Sequence, residues 1–245
     1  ELIVTDLKTR KELAESVAQL ASFPNITFVL GKHRLEDFRK RDFILKAAGV
    51  PLNSPYIAEA AKQNIPVRMS ADLFAEISGA ACVGITGTRG KSTVAHMLYA
   101  ILHAAKKPVV LGGNVRGVST LALVPDIREG DVLVLELDSW QLQGFGDLHI
   151  SPDVAVFTNF LPDHQNYYKT MEEYFSDKAN IFKYQREGDV LMVGEQVAAR
   201  VRSVPPLLAG GGRGEGFLVP PPIPDDLALR SPGAHNRENA ALAKA

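Results

Sequence analysis

The sequence has little cysteine, no excess of either charge and no long apolar run. Cys82 is the only cysteine, which excludes an internal disulfide and a multi-cysteine zinc site. The 27 Lys and Arg residues are balanced by 28 Asp and Glu residues, whereas a dedicated nucleic-acid-binding protein usually carries a marked basic excess. No apolar run approaches the roughly 20 residues that span a bilayer, and the first residues, ELIVTDLKTRK, lack the pattern of a signal peptide. We therefore expect a cytoplasmic, monomeric protein with no nucleic-acid partner and no membrane insertion.

Short β-branched segments alternate with amphipathic segments along the chain, which is typical of βαβ units and a mainly parallel sheet. The 245 residues, against about 150 for a typical domain, favour two domains. We predict an α/β fold in which a partial Rossmann-like domain, residues 1–79, is followed by a P-loop-type ATPase domain, residues 80–245. The Gly- and Pro-rich residues 210–226 are predicted to form a loop. Predicted strands lie at residues 1–6, 26–31, 42–46, 67–70, 81–86, 108–112, 131–137, 153–158 and 189–193, and predicted helices include residues 10–22, 54–64, 91–106 and 171–185.

The strongest chemical signal is the segment Gly84–Thr93, which reads G-I-T-G-T-R-G-K-S-T between an apolar strand and a helix. Its glycines allow successive N–H groups to face a polyphosphate, and the helix N-terminus adds its positive dipole end. Lys91 is positioned to reach the β- and γ-phosphates, and the Ser92 hydroxyl is a ligand for Mg²⁺. The segment predicts a nucleotide site formed by Gly87, Thr88, Arg89, Gly90, Lys91, Ser92 and Thr93.

Further polar residues follow the ends of other predicted strands. Glu136 ends the strand DVLVLEL, and a carboxylate at the carboxyl end of a parallel strand projects into the crevice where ligands bind, so it is a candidate Mg²⁺ ligand. Asn114 ends a Gly-Gly-Asn turn, His164 follows the strand DVAVFTN, and Lys178 falls on a predicted helix. Taken singly, each residue has an ordinary structural interpretation. Glu136 is then a helix-capping acid and Asn114 part of a plain turn. His164 is an isolated histidine that binds no metal, and Lys178 is a solvated helix lysine.

Taken together and in this order, the segments resemble the Mur ligase superfamily, which includes the folylpolyglutamate synthases. The G-x-x-G-T-x-G-K-S-T loop is similar to the ATP loop of that family, and LELDSWQL at 135–142 and GGN at 112–114 are similar to its D-glutamate-adding members. The patterns N-x-x-x-D-H at 159–164, Y-x-x-x-K-x-x-I at 174–181 and G-x-H-N-x-x-N at 233–239 complete the set. The resemblance extends over nearly the whole chain.

The resemblance assigns roles to individual residues. It implies that Lys91, His164 and Lys178 are catalytic, that Asn159 and Asn236 lie beside the ATP, and that Lys178 is carbamylated. It implies substrate binding by a second group of residues, namely Asp6, Leu7, Lys8, Asn114, Ser139 and Gln141. It implies metal binding by Ser92, Glu136, His164 and the carbamylated Lys178.

The resemblance also implies a reaction, in which ATP and Mg²⁺ are used to make an acyl phosphate from a carboxylate and an amine then attacks it. The implied substrates are UDP-N-acetylmuramoyl-L-alanine and D-glutamate, as in the synthesis of peptidoglycan precursors. The family's extreme N-terminus and its C-terminal amino-acid-binding domain are expected to be absent from this chain. Two alternatives stay open: another Mur- or folylpolyglutamate-type ligase, and a non-catalytic nucleotide-binding relative, which Arg89 and the missing second acidic residue after His164 favour.

Overall fold

The computed structural model describes residues 1–47, 50–51, 53–117, 119–204, 217–224, 226–230 and 233–245. The chain forms two compact units, Glu1–Arg68 and Met69–Ala245. The helix Ser70–Ser78 therefore belongs to the second unit, although it precedes the domain boundary expected at residue 79; the domain assignment itself stays a prediction. Residues 210–216 and 225 of the predicted loop at 210–226 lie outside the described residues. No helix within the described ranges is both long and apolar enough to cross a membrane.

The first unit contains two small parallel sheets. Strands β1 and β2 pair in register from Leu2 with Ile26 to Asp6 with Leu30, and β3 pairs with β4 through Ile44 with Val67 and Leu45 with Arg68. Its elements are β1 (Leu2–Asp6), α1 (Ala14–Leu20), β2 (Ile26–Leu30), a 3₁₀ turn (Leu35–Phe38), β3 (Ile44–Leu45), α2 (Pro55–Ala61) and β4 (Val67–Arg68).

The second unit is built on a five-stranded sheet in the order β6 (Val109–Gly113), β7 (Val132–Glu136), β5 (Ala81–Thr86), β8 (Val154–Phe157) and β9 (Val190–Val193). Every neighbouring pair of these strands is parallel. The first half of the unit contains α3 (Ser70–Ser78), β5 (Ala81–Thr86), α4 (Lys91–Ala104), β6 (Val109–Gly113), a 3₁₀ turn (Thr120–Asp126) and β7 (Val132–Glu136). Its second half contains α5 (Ser139–Asp147), β8 (Val154–Phe157), α6 (Met171–Lys183), β9 (Val190–Val193), α7 (Glu195–Arg202) and α8 (Ala234–Lys244). The chain order reverses beside the central strand β5, and ligands of open α/β sheets bind at the carboxyl ends of the strands next to such a reversal.

Alternate residues of each strand face opposite sides of this sheet, so the unit has a core on each face. On one side, Leu133 and Leu135 of β7 pack in a cluster with residues of α3, α5, α6 and α7. On the other side, Val134 packs with residues of α4 and α8. Helices therefore cover both faces, which is why the strands are apolar almost throughout rather than alternating apolar with polar.

The predicted α/β class with a mainly parallel sheet is confirmed, and β5 has the predicted bounds. The strand predicted at 67–70 is shorter than expected, because Ser70 already begins α3 and the Asp72 carboxylate accepts a hydrogen bond from the Met69 N–H, with 2.8 Å between the N and O atoms. This carboxylate satisfies a free N–H group at the helix start. The helices α3, α5 and α7 were not predicted.

Candidate functional site

The loop that follows β5 turns sharply and then begins α4. Gly87 and Gly90 have φ values of 144° and 86°, which disfavour any residue with a side chain. A Cβ atom on Gly87 would overlap the Thr158 hydroxyl, and one on Gly90 would overlap the Asn239 side chain. Since Gly90 is the N-cap of α4, the first N–H groups of that helix have no partner within it and its positive dipole end faces the loop. The loop therefore has the geometry of an anion-binding site.

Two lysines converge on the carbonyl of Gly87. The Lys91 Nζ atom lies 3.0 Å from the Gly87 oxygen and 3.2 Å from the Thr88 oxygen. The Lys178 Nζ atom, from α6, lies 2.9 Å from the same Gly87 oxygen and 3.4 Å from the Thr86 Oγ1 atom. Lys178 is 1% exposed, so it is not the solvated lysine that helical position alone would suggest.

Burial shifts the pKa of both lysines. For Lys178, burial and then the positive charge of Lys91 lower the pKa to about 7, against the upward effect of nearby carboxylates. For Lys91, burial lowers the pKa, although the carboxylates of Glu136, Asp138 and Asp163 favour its charged form. The site thus combines two amines with three acidic side chains, a composition suited to binding phosphate together with a cation.

The carboxyl end of β7 brings the predicted acidic residue to this site. Glu136 is 4% exposed, and its carbonyl oxygen accepts a hydrogen bond of 2.7 Å from the backbone N–H of Asn114 at the end of β6. The Asp138 carboxylate caps α5 by accepting from the Gln141 N–H at 2.8 Å, and the Gln141 Oε1 atom accepts from the Asp138 N–H at 3.1 Å. The candidate substrate residues Asn114, Ser139 and Gln141 therefore lie at neighbouring strand and helix ends, with Asn114 exposed and the other two buried.

The segment after β8 supports the phosphate loop. The Asn159 Oδ1 atom accepts from the Arg89 N–H at 2.9 Å, and its Nδ2 atom donates to the Arg89 oxygen at 3.0 Å. The Asn159 carbonyl oxygen accepts from the Thr88 N–H at 2.9 Å. Asn159 thus makes three hydrogen bonds to the loop, two of them with its side-chain amide.

His164 lies at the edge of the same region with φ of 53°. Its ring packs 4.8 Å from the Trp140 ring and 5.7 Å from the Tyr174 ring, measured between centroids. Its backbone N–H donates to the Asp163 carboxylate at 2.9 Å, which is the main reason that the pKa of Asp163 is lowered. The aromatic contacts fix the plane of the imidazole ring.

A cavity of about 540 Å³ opens beside the phosphate loop, between the ends of β8 and β9 and the helix α8. Thr158, Gln196 and Arg237 are among the residues that line it. Asn236 lies in the first turn of α8, and Asn239, one turn later, is buried against Gly90. The size of the cavity is within the range for small-molecule sites.

The remaining predicted residues, Asp6, Leu7 and Lys8, lie in the first unit at the carboxyl end of β1. The Asp6 Oδ1 atom accepts from the Lys8 N–H at 2.7 Å, which closes a tight turn. The Lys8 carbonyl oxygen accepts from the Gly31 N–H, at 2.8 Å, at the end of β2. Leu7 is 67% exposed, so this turn presents an apolar and a charged side chain to solvent.

Residues 85–203 match the family model described as the Mur ligase middle domain. This segment contains the phosphate loop, Glu136, His164 and Lys178, the residues that the geometry has just brought together. Residues 85–203 are a Mur ligase middle domain.

Two relatives carry the name UDP-N-acetylmuramoylalanine–D-glutamate ligase. The protein from Borreliella burgdorferi is 38% identical over 193 residues, which are 78% of this chain and 41% of the relative. The protein from Roseiflexus is 37% identical over 191 residues, with the same two shares. The chain thus spans about two fifths of the length of these relatives.

A solved structure shares the fold at lower identity. The UDP-N-acetylmuramate:L-alanyl-gamma-D-glutamyl-meso-diaminopimelate ligase from Neisseria meningitides is 16% identical, with a TM-score of 0.52 over 80% of this chain and 64% of that one. It supports the α/β architecture, and the predicted resemblance to the Mur ligases is confirmed by the sequence comparisons.

Sequence reasoning missed several residues that shape the site. Thr158 donates from Oγ1 to the Arg89 oxygen at 2.6 Å, and Gln196 holds both backbone groups of Phe160. Asn239 ends the G-x-H-N-x-x-N pattern at 233–239, but the pattern assigned no role to it. Thr158 and Gln196 act on backbone atoms that are distant in sequence, so no local pattern marks them.

Proposed function

We propose that this chain is the nucleotide-binding part of an ATP-dependent ligase that joins D-glutamate to UDP-N-acetylmuramoyl-L-alanine through an acyl phosphate. The observation that carries the proposal is the convergence of Lys91 and Lys178 on the phosphate loop, next to the strand-end Glu136, within a Mur ligase middle domain. The printed names of the two relatives support the choice of substrates. We infer that the reaction takes place in the cytoplasm and that the protein acts as a monomer.

In the first step, the ATP phosphates bind the residues Gly87–Thr93, with the Lys91 ammonium against the β- and γ-phosphates. A carboxylate oxygen of the L-alanine group attacks the γ-phosphorus, the bond to the β,γ-bridging oxygen breaks, and ADP is the leaving group. Such a transfer depends on positioning and on charge neutralisation rather than on a covalent intermediate with the protein. The N-terminus of α4 and the Lys91 ammonium provide both.

In the second step, the amine of D-glutamate attacks the carbonyl carbon of the acyl phosphate. A tetrahedral intermediate forms and collapses with release of inorganic phosphate, and the amine nitrogen loses its proton. The product contains a new amide bond. We assign Asn114, Ser139 and Gln141 to the substrate side of the site, and Asp6, Leu7 and Lys8 to the uridine nucleotide.

The donor set fits Mg²⁺ that arrives with the nucleotide. No group of three or more His, Cys, Asp or Glu side chains among the described residues could hold a metal ion, whereas Mg²⁺ usually binds one or two carboxylates together with substrate phosphates. Ser92 and Glu136 would hold one ion, and His164 with the Lys178 carbamate a second. When bound, Mg²⁺ would neutralise charge on the phosphates.

Lys178 is suited to carbamylation by its surroundings. Its pKa of about 7 leaves a large fraction of the amine neutral at neutral pH, and the neutral amine is the form that attacks CO₂. The new N–C bond forms as the nitrogen loses a proton, and the product is an anion in place of a cation. Labelling with ¹³C-bicarbonate should give a carbamate NMR signal in the wild type that Lys178→Met lacks; its absence from the wild type would refute the modification.

We assign the nucleoside of ATP to the cavity beside α8, the helix whose first turn contains Asn236. Thr158 and the first turn of α8 line this cavity.

Phosphate release from ATP tests the proposal. In the whole ligase of which we propose this chain to be a part, we expect release in the presence of Mg²⁺, UDP-N-acetylmuramoyl-L-alanine and D-glutamate, and little release when either substrate is omitted. Lys91→Ala should abolish release, whereas Lys107→Ala, an exposed lysine beyond the other end of α4, should leave it unchanged. Release with a different amino acid or acyl substrate would indicate another ligase of the family. Nucleotide binding that Lys91→Ala abolishes, with no release under any condition, would favour a binding-only relative.

A further inference from the structure

The segment at residues 158–161 joins the phosphate loop to the rest of the second unit. Besides the three hydrogen bonds of Asn159, the Thr88 hydroxyl donates to the Leu161 oxygen at 3.1 Å and accepts from the Leu161 N–H at 2.9 Å. The Thr158 hydroxyl donates to the Arg89 oxygen at 2.6 Å. Because Thr88 and Arg89 are bonded so extensively to this segment, its position determines where the N–H groups of the loop point.

The segment itself lies outside any strand or helix. The strand β8 ends at Phe157 and α6 begins at Met171. Backbone hydrogen bonds still hold Thr158 and Asn159, because the Thr158 N–H donates to the Thr86 oxygen and the Thr88 N–H donates to the Asn159 oxygen, whereas the backbone groups of Phe160 bond to a side chain. Backbone groups without a backbone partner need other partners when they are buried. Phe160 is 7% exposed, and its partners come from α7.

Gln196 supplies both backbone partners of Phe160. The Phe160 N–H donates to the Gln196 Oε1 atom at 2.8 Å, and the Gln196 Nε2 atom donates to the Phe160 oxygen at 2.9 Å. A side-chain amide carries one acceptor and one donor group in the same plane, so it can replace a neighbouring strand at this residue. Asparagine has the same planar amide group, but on a side chain that is shorter by one methylene.

Arg200 lies one turn after Gln196 on α7 and holds the side chain of Phe160. Its guanidinium carbon lies 4.9 Å from the centroid of the Phe160 ring and 4.7 Å from that of Phe175. The Glu172 Oε1 atom, 2.9 Å from Arg200 Nη2, orients the guanidinium. Gln196 and Arg200 lie on the same face of α7. Gln196 therefore fixes the backbone of Phe160 and Arg200 fixes its ring.

We propose that Gln196 and Arg200 are positioning residues that hold the 158–161 segment against Thr88 and Arg89 and thereby set the affinity of the phosphate loop for polyphosphate. The proposal rests on the proposed function only in that the loop binds a nucleotide. It predicts that their loss weakens phosphate binding, although neither side chain reaches the phosphates.

Gln196 also lines the cavity assigned to the nucleoside, so the experiment must separate a contact with the base from an effect on the loop. Binding of ATP and of inorganic tripolyphosphate, each with Mg²⁺, is measured by displacement of a fluorescent ADP analogue. Tripolyphosphate has no base. The whole chain is used, and thermal unfolding of each variant confirms that it is folded.

For Gln196→Met we expect the Kd values of ATP and of tripolyphosphate to rise by the same factor, roughly tenfold for the loss of two hydrogen bonds. Arg200→Met should raise both values roughly threefold, and Arg200→Lys, which keeps a cation over the rings, should restore most of the affinity. Arg202→Met is the matched control, because Arg202 lies on the same helix but its guanidinium is over Phe217; it should leave both values unchanged.

Four results would overturn the proposal. A rise in the Kd of ATP alone would make Gln196 a base-contacting residue, and unchanged affinities in folded variants would make the α7 contacts purely structural. Wild-type binding of ATP that tripolyphosphate cannot displace would mean that the loop contributes little. Wild-type protein that binds neither ligand would refute the proposed function itself, and this inference with it.

Discussion

The buried amine of Lys178 predicts a specific pH dependence of stability. Its pKa is lowered from 10.5 to about 7 in the folded protein, mainly by burial. Between these two pH values the unfolded chain binds the proton and the folded protein does not, so the free energy of unfolding rises with pH. The destabilisation by Lys178 is fully present below pH 7 and disappears as the pH rises to 10.5, the pKa of lysine in the unfolded chain.

The two pKa values set the size of the effect. The destabilisation by Lys178 is about 4 kcal/mol at pH 7 and about 2 kcal/mol at pH 9, from the ratio of proton-binding polynomials of the folded and unfolded states. The wild type should therefore gain about 2 kcal/mol between pH 7 and pH 9 relative to Lys178→Met, a variant of similar volume with no titrating group. The contributions of groups that titrate alike in both proteins cancel in this comparison.

Urea unfolding at several pH values measures this difference. The buffers must be free of CO₂, because carbamylation of Lys178 would replace the amine by an anion. The m-values of the two proteins should agree, so that the midpoints report stability alone. A difference between wild type and variant that is constant from pH 7 to pH 9, or that falls with pH, would refute the assignment of a buried neutral lysine.

Three further substitutions test the framework of the site. Asp138→Ala should lower the unfolding free energy by about 1 kcal/mol through loss of the α5 cap, measured by urea unfolding; an unchanged midpoint would mean that the cap adds nothing. Gly194→Ala should destabilise by more than 1 kcal/mol in thermal unfolding, because the added Cβ would overlap the Thr158 carbonyl oxygen, and an unaltered Tm would contradict that packing. Phe74→Ala, at a residue with 0% exposure, should lose about 3–5 kcal/mol in urea unfolding; a loss below 1 kcal/mol would contradict its burial.

The sequence predicted the strands and helices that depend on residues lying close together in the chain. The bounds of β5 and the start of α4 follow from an apolar run, a glycine-rich turn and Lys91, all within a few residues of each other. Glu136 and Asn159 could be placed near the loop because the carboxyl ends of parallel strands meet at one edge of a sheet. Helices α3, α5 and α7 were missed, although their nine, nine and eight residues exceed the seven residues of α1 and α2, which were predicted. Length is therefore not the reason; in α5, Gly144 and Gly146 lower the helix propensity.

Interactions between distant residues could not be predicted in the same way. Lys178 looks like a surface lysine in sequence, and its pKa depends on packing against residues that are 91 and 92 positions away. Gln196 bonds to the backbone of Phe160. Because every residue except proline has the same backbone groups, the sequence does not indicate which residue Gln196 binds. A loop that binds phosphates through its backbone needs such support, because its glycines give it freedom to turn but no side chains with which to pack. We infer that the family motif marks the residues facing the ligand, whereas the residues that hold the motif in place are found only from the structure.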